Sequence, residues 1–224
     1  MSPRALTLLA VSIAACASRP PPVDPPPLDE LLADDETRAS IAGIVLPRMP
    51  PDVEPDDPDL EEGWRRAAQA LSMPTPRPPH GEAWEVEEWA DQELASWMRR
   101  RAEAVGAAQR ALEQARMGRR EASVVASAIL GLAYSRFALD LRGIPTPEVF
   151  ARDPERARAF QEALRRATAP LWQRALDAFG SCSSTAGAAP AHSLDQWREF
   201  CDEEIESAAA MLPDDGRDDE DERR

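Results

Sequence analysis

The fold class is indicated most strongly by residues 123–139, SVVASAILGLAYSRFAL. Their pattern predicts a helix from Glu121 to Leu141 with apolar side chains on nearly every face. These side chains are Val124, Val125, Ile129, Leu130, Leu132, Tyr134, Phe137 and Leu139. Because a helix that is apolar all round belongs at the centre of a bundle, the stretch predicts an all-α protein in which other helices surround this one.

Two helices are predicted before the central one. A short helix, from about Leu60 to Leu71, ends at the proline-rich segment 74–79. A long helix runs from about Glu82 to Met117, and Gly118 closes it. The core-facing residues of the short helix are Leu60, Trp64, Ala67 and Leu71, and those of the long helix are Ala90, Leu94, Trp97, Val105, Ala108, Leu112 and Ala115.

Two more helices are predicted after it. Asp153 and Pro154 are typical of an N-cap followed by proline in the first turn, and Pro170 is expected to kink the helix that they begin. A capping box predicts that the last helix starts at Ser193. The core residues expected in the fourth helix are Ala157, Phe160, Leu164, Ala167, Leu171, Ala175 and Ala178; those of the last are Leu194, Trp197, Cys201, Ile205, Ala208 and Leu212. No strand pattern is present, so residues 59–212 are predicted to form one domain of stacked helical hairpins.

The two flanks of this domain have a different composition. Residues 16–58 combine proline clusters with aspartate and glutamate, which predicts a disordered, partly polyproline II tether. Residues 213–224 are almost all charged and mostly acidic, and they are expected to form a disordered tail.

The chain begins with a segment typical of an export signal. Arg4 precedes an apolar stretch from Ala5 to Ala15, and at about 11 residues that stretch is too short to span a membrane. The sequence Ile13-Ala14-Ala15-Cys16 at its end resembles the lipobox of bacterial lipoproteins. The resemblance implies that residues 1–15 are a signal peptide and that Cys16 is acylated, with two or more chains for stable anchoring. The alternative is an ordinary secretory signal that is cleaved after Ala17.

The same resemblance implies a location. Ala17 stands where aspartate signals retention in the inner membrane of enteric bacteria. An outer-membrane protein that faces the periplasm is therefore expected, and the inner membrane and the cell surface stay open as alternatives.

The composition excludes some partners. The chain has 26 basic residues, all of them arginine, against 41 acidic residues, which gives a net charge of −15. Loss of Arg4 with the signal peptide would make it about −16 (−15 − 1), so nucleic acid and anionic headgroups are not expected to bind. The run Arg99 to Arg101 and the arginine pairs are interleaved with acids, which favours solvated helix faces.

Cys182 and Cys201 each extend the apolar face of a predicted helix. The Ser-, Ala- and Gly-rich loop between them allows a hairpin with both thiols inside, and an oxidising periplasm then favours a disulfide. The alternative is a pair of buried free thiols. A catalytic thiol is not favoured, because the chain has no Cys-x-x-Cys motif and no basic group placed to lower the pKa of either cysteine.

The span from Ala126 to Ala208 contains several phrases of a helical module. They are Ile129–Ala138, Ile144–Pro147, Ala169–Leu171, Ala175–Phe179 and Trp197–Cys201. Together they resemble the C-terminal helical module of tetratricopeptide-type periplasmic proteins of deltaproteobacteria, some of which are linked to gliding motility. The resemblance implies a stack of helical hairpins and a scaffold role.

Catalytic motifs are not found in the sequence. His80 and His192 lie in predicted loops far apart, without the spacing of a metal site, and the absence of lysine excludes Schiff-base and P-loop chemistry. The acidic cluster within Glu82–Glu88 could include paired carboxylates, but acids in the first turns of a helix are explained by its macrodipole. No catalytic residue, metal site or cofactor is therefore predicted.

Trp84 and Trp89 are the candidates for partner binding. The core-facing stripe of the long helix centres on Leu94, Arg101 and Val105. The two tryptophans lie on opposite sides of this stripe, so at most one of them is expected in the core. Tryptophan is enriched at interface hot spots. The alternative is that both pack under the first helix or under the segment 74–79.

The combined expectation is a lipid-anchored envelope protein that acts as a non-enzymatic scaffold by binding other envelope proteins. Two alternatives are a cell-wall hydrolase and a carrier of a small apolar ligand. A scaffold requires an exposed aromatic or apolar surface, a hydrolase a polar cleft with converging ionisable groups, and a carrier a closed apolar cavity.

Overall fold

The fold was obtained as a computed structural model, which describes residues 46–47, 57–189 and 194–212. These residues form helices and no strand, so the predicted all-α class is confirmed. The α-helices are α1 (Pro58–Leu71), α2 (Ala83–Trp89), α3 (Ala95–Arg116), α4 (Arg120–Arg142), α5 (Pro154–Gly187) and α6 (Asp195–Ala209). The predicted signal peptide 1–15, Cys16, residues 17–45 and 48–56 of the predicted tether and the predicted tail 213–224 lie outside the described residues.

Helix α4 is the centre of the bundle, as its composition predicts. It contacts α1, α3, α5 and α6, and its side chains are buried over nearly its whole length. By length and composition it is the one described helix that could cross a membrane, but 83% of its most apolar window is buried inside the bundle, as in the core helix of a soluble protein. Leu139 was expected in the core and is exposed instead, because it lies near the end of α4 where its face meets solvent.

The ends of two helices follow from their capping residues. The Asp57 carboxylate accepts hydrogen bonds from the backbone N–H groups of Asp59 (3.0 Å) and Leu60 (3.1 Å), so α1 starts earlier than its apolar pattern alone predicts. The predicted N-cap Asp153 accepts hydrogen bonds from the N–H groups of Glu155 and Arg156, both at 3.2 Å, and Pro154 follows it in the first turn.

The long helix that was predicted over residues 82–117 is interrupted. A π-helical turn, Ala90–Leu94, joins α2 directly to α3 with no loop between them. The apolar pattern did not indicate this turn. A π turn holds an extra residue and changes the angular register of the helix after it. The start of α2 is fixed by Glu82 and Glu85, because the Glu85 carboxylate accepts a hydrogen bond from the Glu82 N–H at 2.7 Å.

Helices α5 and α6 pack as a hairpin, and α5 continues through Pro170. The two sulfurs of Cys182 and Cys201 are at disulfide distance, with the Cα atoms 6.2 Å apart, and both residues are fully buried. Several residues predicted for the core of these two helices are only partly buried: Ala157, Phe160, Ala167, Leu171, Ile205 and Leu212. Ser193 of the predicted capping box lies outside the described residues. Core residues of α5 that the predicted stripe omitted are Thr168, Trp172, Phe179 and Ala186.

A close helix contact explains one glycine. A Cβ atom at Gly131 of α4 would lie 2.5 Å from Cε1 of the Phe179 ring on α5. The absence of a side chain at this position therefore lets the ring pack directly on the backbone of the central helix.

Candidate functional site

Trp84 and Trp89 have opposite environments although both lie on α2. The Trp84 side chain is 62% exposed, the most exposed aromatic residue of the described chain, whereas Trp89 is 4% exposed and part of the core. The expectation that both would not be in the core is confirmed. Burial leaves Trp89 no surface for a partner, so Trp89 is a core residue and Trp84 alone remains a binding candidate.

The surface around Trp84 is acidic. Glu87, Glu88 and Asp91 follow it at helical spacings of three, four and seven residues, and all of them are exposed. Glu88 accepts a hydrogen bond from the side chain of Gln92 at 3.1 Å and keeps its charge free for another partner. We call Trp84, Glu87, Glu88 and Asp91 the Trp84 face.

Arg101 corrects the prediction that the run Arg99 to Arg101 lies on a solvated helix face. Its side chain is fully buried, because Arg101 lies on the apolar side of α3 between Trp97 and Val105. Its guanidinium donates to Asp140 Oδ2 at 2.7 Å and to the backbone carbonyl of Met73 at 2.9 Å. Burial lowers the pKa of Arg101, and the neighbouring charge of Asp140 opposes that shift.

The same guanidinium is enclosed by aromatic rings. It lies 5.7 Å from the ring centroid of Trp97 and 5.8 Å from that of Phe137, distances at which a cation is attracted to the face of a ring. On the other side of Asp140, Arg136 Nε lies 3.1 Å from Oδ1. The cluster links α3 to α4 and is closed to solvent around Arg101, so its role is to fix the helices.

A polar cleft of about 290 Å³ lies where α3, α4 and α5 meet. It is lined by Gln109, Arg116, Leu130, Tyr134, Arg174, Asp177 and Ala178. The Tyr134 hydroxyl donates a hydrogen bond to Gln109 Oε1 at 2.6 Å, and the Arg174 guanidinium lies over the Tyr134 ring at 5.6 Å from its centroid. We call this region the Tyr134 cleft. The apolar pattern placed Tyr134 in the core and did not single out either arginine.

The lining of the cleft contains few of the side chains that usually carry acid, base or nucleophilic chemistry. Asp177 is the one carboxylate in its lining, and it accepts a hydrogen bond from Gln173 at 3.1 Å. Hydrolysis of a glycan usually takes two carboxylates on either side of the scissile bond. The lining also lacks histidine and cysteine, the other common acid, base and nucleophile groups.

The remaining candidate residues are not brought together into a site. His80 Nδ1 lies 3.2 Å from a carboxylate oxygen of Glu148, and both side chains are highly exposed, while His192 lies outside the described residues. Among residues 46–47, 57–189 and 194–212, no group of three or more His, Cys, Asp or Glu side chains is placed to hold a metal ion. Comparison with protein-family models, with curated proteins and with solved structures finds no match for this chain.

Proposed function

We propose that this protein is a non-enzymatic binding module of the bacterial envelope, and that its Trp84 face binds a basic segment of another envelope protein. The observation that carries the proposal is the 62% exposure of Trp84 beside three exposed carboxylates. An indole left in water is a favourable surface to bury, and tryptophan is a frequent interface hot spot.

The charge of the Trp84 face favours a partner with arginine or lysine. A cationic side chain can lie on the indole ring while its charge pairs with Glu87, Glu88 or Asp91. Such complementarity mainly accelerates association and selects the partner, since the whole chain has a net charge of −15. The same charge disfavours nucleic acid and anionic headgroups as partners.

The proposed location is the outer membrane, on its periplasmic side, through a lipid on Cys16. The lipobox-like sequence from Ile13 to Cys16 supports it, and so does the cysteine pair at disulfide distance, which suits an oxidising compartment. If the anchor exists, the change Cys16→Ser should make the unprocessed precursor accumulate, as should globomycin. Normal processing of the variant would contradict the anchor.

Neither alternative function is favoured by the geometry of the described residues. A glycan hydrolase is not favoured by a cleft with a single carboxylate. A carrier of an apolar ligand is not favoured by a cleft that is open to solvent and lined mostly by polar groups, whereas such carriers use closed apolar cavities. Binding without catalysis therefore agrees best with both surfaces.

Crosslinking in native membranes tests the proposal with a matched pair of variants. Trp84→Ala removes the exposed indole, and Met117→Ala removes a side chain of similar exposure, 67%, in the turn after α3. We expect Trp84→Ala to weaken capture of the partner by more than about tenfold, as for a hot-spot residue, and Met117→Ala to leave it unchanged. Equal capture by both variants and the wild type would contradict the proposal.

A further inference from the structure

We propose that the Tyr134 cleft is a second binding site, separate from the Trp84 face, and that it takes a small molecule with one carboxylate and a compact apolar body. The site lies on different helices from the partner surface, and the inference does not depend on the proposed function. It rests on the free hydrogen-bond donors of the cleft, on the charges of its lining, and on its volume and apolar lining residues.

The first step concerns the donors in the cleft. Because Gln109 Oε1 accepts the hydrogen bond of the Tyr134 hydroxyl, the amide NH₂ group of Gln109 is left as a donor. The Tyr134 ring is buried, and its hydroxyl fixes the position of the amide. Gln109 can therefore offer N–H groups to a ligand without first breaking a protein contact.

The second step concerns the two guanidinium groups. Arg174 contacts the Tyr134 ring and has no carboxylate partner among the described residues. Arg116 has two long contacts, 3.4 Å to Glu113 Oε2 and 3.4 Å to Ser181 Oγ, which leave most of its donor capacity unused. Each guanidinium carries five N–H donors in a planar arrangement that matches the two oxygens of a carboxylate.

The third step concerns the balance of charge. The lining holds two guanidinium groups and one carboxylate, Asp177, so a ligand with one negative charge would balance the charges of the lining. Glu113, whose Oε2 lies 3.4 Å from Arg116, is outside the lining. Asp177 accepts a hydrogen bond from Gln173, which lies outside the lining. The N–H groups of Arg116, Arg174 and Gln109 outnumber the acceptors in the lining, so an acceptor on the ligand would find donors there. The excess of guanidinium groups over carboxylates in the lining contrasts with the net charge of −15 on the chain as a whole.

The last step concerns size and the apolar part of the ligand. Leu130 and Ala178 are the apolar residues of the lining, and together with the Tyr134 ring they suit a short hydrocarbon or aromatic group. The volume of about 290 Å³ is near the lower end of ligand pockets, so the ligand is small. Benzoate has the required charge, shape and size and serves as the probe.

Tyr134 is the only tyrosine in the chain, which makes a selective measurement possible. The full chain, labelled with ¹³C in the tyrosine ring, is titrated separately with benzoate, benzamide and benzylamine while the single set of ring signals is followed by NMR. The three probes share a ring and differ in charge. We expect a saturable shift with benzoate and at least about tenfold weaker binding of benzamide and benzylamine.

Variants assign the binding to the guanidinium groups. Arg174→Gln and Arg116→Gln should each weaken benzoate binding about tenfold or more, while Arg174→Lys should weaken it less because the charge is kept. Arg165→Gln is the matched control, since Arg165 is an exposed residue of α5 that pairs with Glu162 outside the cleft. Absence of a saturable shift, equal binding of benzoate and benzamide, or unchanged affinity in Arg174→Gln would overturn the proposal.

Discussion

The Trp84 face and the Tyr134 cleft lie near opposite ends of one helical stretch and have opposite charge. Trp84 is at the start of α2, and Gln109 of the cleft comes 25 residues later in α3. At about 1.5 Å per residue they are roughly 37 Å apart, several times the Debye length of about 8 Å at physiological ionic strength. The continuous helical stretch from α2 through α3 therefore carries an acidic aromatic surface near one end and contributes to an arginine-lined cleft near the other, and salt screens each field over the distance between them.

The two regions also differ in how they are held. Between them, Arg101 fastens the long helical stretch to α4 through Asp140, an ionic contact in the core. On the cleft side, Cys182 and Cys201 connect α5 to α6, and Cys182 comes four residues after Ala178 of the cleft lining. Substitutions in the Arg101–Asp140 ion pair should therefore destabilise both regions, whereas substitutions of the two cysteines should affect the Tyr134 cleft alone.

The largest effect is expected from Asp140→Ala, which should disturb both regions at once. Asp140 is 17% exposed on its side chain and Arg101 is fully buried, so the change leaves a buried guanidinium without its carboxylate. Removal of one partner of a buried pair costs about 3 to 5 kcal/mol of the free energy of unfolding. Urea unfolding, followed by tryptophan fluorescence and by the Tyr134 ring signals, should show the same loss with both probes.

A double variant separates the charge from the packing. Arg101→Met with Asp140→Leu removes the pair together, and most of the lost stability should return because no buried charge is left alone. If Asp140→Ala alone costs less than about 1 kcal/mol, the ion pair of Arg101 is not what fastens the helical stretch to α4.

The next largest effect is expected from the cysteine pair. The two cysteines are 19 residues apart in sequence, and a disulfide that closes such a loop is worth about 3 kcal/mol. Cys182→Ala with Cys201→Ala should lower the urea midpoint and weaken benzoate binding, while crosslinking at the Trp84 face stays unchanged below the transition. Alkylation of both thiols in unreduced, denatured protein isolated from its native cells would show instead that no disulfide forms.

The smallest effect comes from two glycines of the cleft side. Gly131→Ala pushes a methyl group into the Phe179 ring and should cost about 1 to 3 kcal/mol, the range for overpacking. Gly180→Ala is the control, since a Cβ atom there meets nothing within 4 Å in a helix interior, and it should stabilise the protein by about 0.5 to 1 kcal/mol. A melting temperature that falls in Gly131→Ala and rises in Gly180→Ala would support the assignment of Gly131 to the contact between α4 and α5. A similar small change in both would contradict it.

The parts of the core that depend on a single local pattern in the sequence could be predicted. The all-round apolar character of α4, the N-cap at Asp153 and the cysteines on matching helix faces each depend on local spacing. Two sequence signals disagreed about Arg101: its charge within the run Arg99 to Arg101 favoured solvent, whereas its position four residues from both Trp97 and Val105 put it at the centre of the apolar stripe, and the structure agrees with the position. That spacing was a usable signal.

The two candidate sites were predictable to different degrees. The angles on the helix predicted that Trp84 and Trp89 would not both be in the core, but they did not indicate which of the two is exposed; the structure shows that it is Trp84. The Tyr134 cleft could not be predicted, because Gln109, Tyr134 and Arg174 come from three helices and meet only through the packing of those helices. The π turn after Trp89 was equally invisible, since it adds a residue to one turn without changing the apolar composition.

One measurement tests the central claim, that the Trp84 face is where a partner binds. The chain has six tryptophans, and labelling with 5-fluorotryptophan gives each a ¹⁹F signal, with that of Trp84 assigned from Trp84→Phe. When the partner captured by the wild-type chain is added, we expect the Trp84 signal to shift and saturate while the Tyr134 ring signals stay in place. Partner binding that moves the Tyr134 signals and leaves the Trp84 signal unchanged would contradict the claim.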